Sequence, residues 1–308
     1  MRRLLTAFSL CVFSLWLVAS AYVGWYVLPP MLLNAPLPVR TEAQREATRT
    51  GLLTSGGSWE RLELPGGEGC ALEVWHLRRK DSPGPARGIV IYLHGFGDDA
   101  WGTVSRAADL PDWDAVCFTF RGRDRNPGIP CTLGAWERGD VTAVVKHFEA
   151  VGVPRSRMIL AGWSQGAGVA LLALSDLEKE GSPLGGALLE CPYETLAAAA
   201  RDHLKVALGP FEILVRPAER LAIWNGESLA HFDASRVSPR EVAQGLRTPI
   251  ALISGDADTQ TPLDGVRAIA RHHPDLTVVP GAGHCEASGM EPGGWRTWAQ
   301  ERLKRWGF

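Results

Sequence analysis

The chain has 308 residues, 45% of them hydrophobic and 21% charged, and its 34 acidic and 32 basic side chains leave a net charge of −2. That composition supplies a large core, and the balanced charge with no basic stripe argues against a nucleic-acid partner. Of the six cysteines, Cys11 falls in an apolar N-terminal run, and the odd remainder builds no complete disulfide framework, although one bond such as Cys117 to Cys131 is open.

The chain begins Met1-Arg2-Arg3, then continues without a charge through residues 4–28, which include Trp16, Tyr22, Trp25 and Tyr26. This length spans a bilayer core of about 30 Å, and aromatics near its end suit the interface. Residues 1–28 are therefore expected to be a signal anchor whose paired arginines stay in the cytoplasm, leaving the rest of the chain extracytoplasmic. The alternative is cleavage near Ala21, after Ala19-Ser20-Ala21, with release of the remainder. Residues 29–58, with several prolines, a charged stretch and glycines, read as a linker, and residues 59–308 as one domain.

Within that domain, apolar runs alternate with helical patterns, the signature of a mostly parallel sheet flanked by helices. Strands are expected at 59–64, 70–78, 89–93, 115–120, 158–161, 186–190, 250–254 and 276–279. Helices are expected at 137–151, 166–180, 194–208, 264–273 and 295–305. The strand at 89–93 enters the glycine-rich loop His94-Gly95-Phe96-Gly97-Asp98-Asp99. The strand at 158–161 enters Gly162-Trp163-Ser164-Gln165-Gly166, which opens a helical segment. A serine forced onto a tight strand-to-helix turn presents its hydroxyl outward, and only glycine two residues to either side leaves room for that turn. Residues 192–247 then read as a short lid of two or three helices, in which Trp224 and Phe232 either line a pocket or pack the core.

Two later strand ends complete the pattern. The strand at 250–254 leads into Gly255-Asp256-Ala257-Asp258-Thr259-Gln260-Thr261-Pro262, and the strand at 276–279 into Pro280-Gly281-Ala282-Gly283-His284. Nucleophilic chemistry on a serine needs a base and a carboxylate to orient it. His284 is the base in this reading and Asp258 the orienting carboxylate, with Asp256 of the same loop as the alternative. The other histidines have quieter explanations: His272 and His273 sit at a helix end, His147 and His203 lie inside helical patterns, and His94 braces its own loop. An oxyanion would need two backbone N–H donors, for which Phe96 and Gln165 are the candidates, with Gly95 and Gly97 letting the backbone approach substrate.

These residues, HGFGDD, GWSQG, GDADTQTP and GAGH, carry a resemblance to the α/β-hydrolase superfamily that runs from about Trp59 to the C-terminus. Within it the chain looks most like the serine aminopeptidase and prolyl-oligopeptidase-like hydrolases. The block Phe120-Arg121-Gly122-Arg123 with Gly134, Glu137 and Asp140 also resembles a family segment and reads as structural. The resemblance implies an α/β-hydrolase fold, a triad of Ser164, Asp258 and His284, no cofactor and no metal. It implies hydrolysis of carboxylic esters, including lipid or thioester substrates, through an acyl-enzyme on Ser164. A serine peptidase is the alternative, with Glu194, Glu212 or Glu227 available for a substrate α-amine, and a non-catalytic binding scaffold is the second. The partners expected are a small acyl or peptide substrate and a membrane.

Overall fold

The computed structural model describes residues 2–34, 40–53, 56–79, 87–122 and 128–308. Eight strands form one sheet in the order β1-β2-β4-β3-β5-β6-β7-β8. They are β1 (Ser58–Pro65), β2 (Ala71–Arg78), β3 (Ile89–Leu93), β4 (Asp114–Phe118), β5 (Met158–Trp163), β6 (Gly186–Glu190), β7 (Ile250–Gly255) and β8 (Leu276–Val279). β2 runs antiparallel to β1 and β4, and from β4 to β8 every pairing is parallel.

The central strands are apolar along their whole length because both faces of the sheet are covered. Ile89, Ile91 and Leu93 of β3 enter one buried cluster, and Val90 and Tyr92 enter the other. The helices, in chain order, are α1 (Arg2–Tyr22), α2 (Leu28–Leu33), α3 (Glu42–Leu53), α4 (Ala100–Val104), α5 (Glu137–Ala150), α6 (Gln165–Glu180), α7 (Leu196–Leu208), α8 (Arg216–Ala230), α9 (Pro239–Ala243), α10 (Leu263–Ala270), α11 (Ala287–Met290) and α12 (Gly294–Arg305). α5, α6, α9 and α10 supply the first cluster, and α3, α4, α11 and α12 the second. This arrangement aligns the ends of β3, β5, β7 and β8, where loops carry function in parallel sheets.

The N-terminal segment departs from a simple tether. α1 continues through one π-helical turn, Val23–Val27, into α2. Residues 5–31 of this helix are long and apolar enough to cross a membrane, with side chains such as Phe8, Leu15 and Val18 exposed. The region read as a linker holds α2 and α3. Leu52 of α3 is buried, and Trp59 Nε1 donates to the Arg49 carbonyl at 3.1 Å. Alternating Glu42, Arg45, Glu46 and Arg49 make α3 an ion-paired surface helix with a narrow apolar stripe, a pattern too weak to stand out in sequence.

Two further differences concern the end of α10 and the cysteines. α10 ends at Ala270, so His273 is not a cation at a helix terminus: it is buried, and its Nε2 lies 2.9 Å from the Ala243 carbonyl. Burial holds its pKa below the ordinary value, against that hydrogen bond. Cys117 and Cys131 are both buried free thiols.

The Arg121 block is structural. Arg121 Nε and Nη2 donate to the two oxygens of Asp140 at 2.9 and 2.5 Å, and Nη2 also donates to the Gly67 carbonyl at 2.7 Å. Glu137 accepts from the backbone N–H groups of Thr132 and Gly134, each at 2.7 Å. Arg123 lies outside the described residues. Because Asp140 has no exposure and Arg121 only 2%, Arg121→Ala strands a buried carboxylate. A loss of ~3–5 kcal/mol is expected, seen as a Tm lower by roughly 10 °C in thermal unfolding of the detergent-solubilised chain. An unchanged Tm would show that Asp140 tolerates solitary burial.

Candidate active site

Ser164 follows β5 and caps α6 with φ 51° and ψ −113°, a backbone region that side-chain-bearing residues rarely occupy. Its N–H donates to the Glu190 carbonyl at 3.0 Å, and its carbonyl accepts from the Gly168 N–H at 3.1 Å. A Cβ at Gly166 would sit 2.2 Å from the Leu93 carbonyl oxygen, and one at Gly162 would sit 2.7 Å from Gly166 backbone atoms. The spacing of the two glycines is thus a steric requirement of bringing the N-terminus of α6 against β3. A Cβ at Gly95 would make ordinary contacts at 3.6 Å and one at Gly97 would meet nothing, so packing within the chain demands neither glycine.

The loop after β8 brings His284 over this serine. His284 Nε2 lies 2.9 Å from Ser164 Oγ, and Nδ1 lies 2.8 Å from Asp258 Oδ2. With the ring proton on Nδ1, the imidazole donates to the carboxylate and accepts from the hydroxyl. Asp258 is itself fixed: Oδ1 accepts from the N–H groups of Gln260 and Thr261 at 2.8 and 2.9 Å, and Oδ2 from the Thr261 hydroxyl at 2.8 Å. Asp256 instead accepts from the Gly281 N–H at 2.7 Å and ties the two strand-end loops together.

Asp258 is 4% exposed. Burial alone would raise its pKa, but the hydrogen bond from His284 and those from Thr261 outweigh it and hold the carboxyl below the ordinary value. For His284 burial alone would lower the pKa. The hydrogen bond to Asp258, with the nearby Cys191 as a smaller contributor, outweighs burial and raises it well above 6.5. The Cys191 thiol is pushed up by burial, chiefly, and by Cys285.

Phe96 and Gln165 both border the cavity at Ser164, Gln165 as the first residue of α6. The N-terminus of a helix carries partial positive charge suited to an anion. His94 is fully buried: the Phe120 N–H donates to its Nε2 at 2.9 Å, so its Nδ1 carries the proton and donates to the Gly95 carbonyl at 2.7 Å. It braces the loop from below.

The cavity encloses about 800 Å³ and is largely apolar. Several of its walls were silent in the sequence. Leu28 and Met31 reach it from α2, and His203 and Leu204 from α7. His203 packs edge-on to Phe96, with ring centroids 6.1 Å apart. Arg40 pairs with Asp98 at 2.8 Å and Asp99 at 2.5 Å, joining the N-terminal segment to the glycine-rich loop. Neither Trp224 nor Phe232 lines the cavity: Trp224 is exposed against Trp25, and Phe232 packs beside Leu172 and Tyr193. The carboxylates suggested for an α-amine are engaged elsewhere, Glu194 with Arg240, Glu212 with Arg216 and Glu227 with the Ala234 N–H. Two carboxylates line the cavity: Asp98, paired with Arg40, and Glu219, whose pKa burial raises and which lies 3.7 Å from Arg201.

Cys191, directly after β6, and Cys285, in the loop that follows β8, place their sulfurs 3.3 Å apart beside His284. Among the described residues, these three group metal-ligating atoms within 4.8 Å. Both nitrogens of His284 already have partners in Asp258 and Ser164, which leaves the cluster short of a third free donor.

No family model matches the chain, and no curated protein is significantly similar to it in sequence. Solved structures do match. An esterase of Pyrococcus furiosus aligns with a TM-score of 0.63 at 20% identity over 89% of this chain and 97% of its own. A membrane phospholipase A described as a bacterial virulence factor aligns with a TM-score of 0.58 at 16% identity over 99% of both chains. An acylaminoacyl peptidase of Pyrococcus horikoshii aligns with a TM-score of 0.54 at 15% identity over 81% of this chain and 40% of its own. The chain has the α/β-hydrolase fold.

The electrostatics of the site give a direct check. Below its raised pKa His284 is an imidazolium stabilised by Asp258, and it becomes neutral only as pH rises through that value. An NMR titration of the His284 ring should give a pKa above 6.5, and Asp258→Asn should lower it. Equal values in the two proteins would mean that the carboxylate does not hold the proton in place.

Proposed function

We propose that the protein is a serine hydrolase that cleaves carboxylic esters through an acyl-enzyme on Ser164. The observation that carries this reading is the hydrogen-bonded series Ser164, His284 and Asp258 opening into an apolar cavity of about 800 Å³. A pocket whose wall is mostly apolar suits an acyl chain better than a charged peptide end.

In this mechanism neutral His284 takes the Ser164 proton as Oγ attacks the ester carbonyl carbon. The tetrahedral oxyanion is held by the backbone N–H groups of Gln165 and Phe96, each such donor stabilising the transition state by ~3 kcal/mol. The imidazolium then returns its proton to the departing alcohol, leaving the acyl group on Oγ. Water, deprotonated by the same imidazole, attacks the acyl carbon, and as the bond to Oγ breaks the imidazolium gives that proton to Ser164 Oγ, releasing the acid and restoring the serine. Asp258 keeps the proton on Nδ1 and stabilises the imidazolium without becoming protonated. The strained Ser164 backbone fixes Oγ in its attacking position at the head of α6.

The N-terminal helix is read as an uncleaved anchor with Arg2 and Arg3 in the cytoplasm and the catalytic domain outside. Because residues of α2 line the cavity, the full chain is the proper reagent. Detergent-solubilised full chain should hydrolyse p-nitrophenyl esters, with an optimum beyond the shortest acyl groups. Ser164→Ala should lower kcat by ~10⁶-fold. The acid limb of kcat/KM should lie above pH 6.5 and move down in Asp258→Asn, alongside a ~10⁴-fold loss of rate. Turnover that survives Ser164→Ala, or that is confined to aminoacyl anilides, would sink the esterase reading.

A further inference from the structure

The N-terminal helix does not merely precede the catalytic domain. Its first 21 residues, Arg2–Tyr22, rise about 30 Å along the axis, the thickness of a bilayer core. Tyr22, Trp25 and Tyr26 then form an aromatic collar, all three more than one-third exposed, at the height where such rings meet headgroups. α8 packs on this collar. A Cβ at Gly24 would sit 2.6 Å from the Ala218 carbonyl oxygen, Asn225 Nδ2 donates to the Trp25 carbonyl at 2.7 Å, and the rings of Trp25 and Trp224 lie 5.4 Å apart. Farther along, the Leu33 carbonyl accepts from the Cys131 N–H at 2.8 Å, and Arg40 binds Asp98 and Asp99. These ties fix the lid relative to the N-terminal helix.

The lid also exposes large apolar side chains. Phe211 is 68% exposed, Trp224 59%, and Ile213 and Leu229 58% each. Phe211 and Ile213 come from the Gly209–Leu214 turn and Trp224 and Leu229 from α8, Trp224 lying against the collar at Trp25. In water such a patch would be a liability. The same helices carry Arg201, Lys205, Arg216 and Arg220 around a shallow groove; the first three pair with Glu219, Asp202 and Glu212, and all four are basic groups of the kind that face lipid phosphates. Leu28 and Met31, one to three turns beyond Tyr22, already line the cavity at Ser164.

We infer that the α7–α8 lid is seated in the headgroup layer of the bilayer that the N-terminal helix crosses, and that the cavity is filled from that layer by the acyl chain of a membrane glycerolipid. This rests on the esterase reading and names its substrate class. The bond broken is the acyl ester of the lipid: the acyl carbon joins Ser164 Oγ, the lysolipid hydroxyl leaves with the proton from His284, and water then releases the fatty acid.

The test uses full chain in vesicles of phosphatidylcholine and phosphatidylglycerol, comparing wild type with a Phe211→Glu, Ile213→Glu, Leu229→Glu triple variant. None of these three side chains borders the cavity. The variant should release fatty acid from vesicle lipid ~10-fold or more slowly, since membrane seating scales with the apolar area inserted, while p-nitrophenyl butyrate turnover and fluorophosphonate labelling of Ser164 stay unchanged. A diazirine-bearing phosphatidylcholine in the same vesicles should crosslink to peptides spanning residues 206–229. Undiminished lipid hydrolysis by the variant, crosslinks confined to residues 1–33, or protein-to-protein crosslinks through the patch would overturn the inference. Wild type that cleaves p-nitrophenyl butyrate but no vesicle lipid would overturn it while sparing the esterase reading. A chain unreactive to both butyrate ester and fluorophosphonate would remove both.

Discussion

Everything at the site depends on how closely the head of α6 is pressed against β3. The Leu93 carbonyl stands where a Cβ at Gly166 would have to be, and that contact leaves Ser164 no conventional backbone conformation. Strain of this kind costs about 1–3 kcal/mol and persists only when the surroundings fix it. Here they do: α6 is buried along most of its length, and β5 is paired on both sides. The large core laid down by the alternating strands holds a single serine in an unfavourable turn, and that turn aims its hydroxyl at His284.

Around this fixed point the remaining groups arrive from independent loops. Asp258 is held by two backbone N–H groups and one hydroxyl before it meets the imidazole, so its orientation does not depend on substrate. Asp256 joins the loops after β7 and β8 to each other. His94 and Arg40 secure the glycine-rich loop from opposite sides, one from the core and one from the N-terminal segment. The N-terminal helix thereby becomes part of the pocket, because Leu28 and Met31 close a wall that the domain alone would leave open.

The central sheet was legible in sequence because its strands are short, apolar and bounded by glycine or proline. The expected and observed strands at 89–93, 186–190 and 276–279 coincide. The choice between Asp258 and Asp256 needed three dimensions, since both lie in one loop and only the direction of each side chain separates them. α8 was fragmentary in sequence because its buried face is built mainly of alanines while the large apolar Trp224 and Leu229 are exposed. α3 was hidden by charge, and the depth of His273 by the early end of α10. The approach of Cys191 to Cys285 joins residues 94 positions apart and leaves no local trace.

The central claim is that His284 makes Ser164 a nucleophile. The most direct measurement is tandem mass spectrometry of the full chain after reaction with a fluorophosphonate ester. The adduct should fall on Ser164 in the wild type and be lost at matched times in His284→Ala, with the fold intact by circular dichroism. A wild-type adduct on another residue, or equal labelling of Ser164 without the imidazole, would contradict the mechanism.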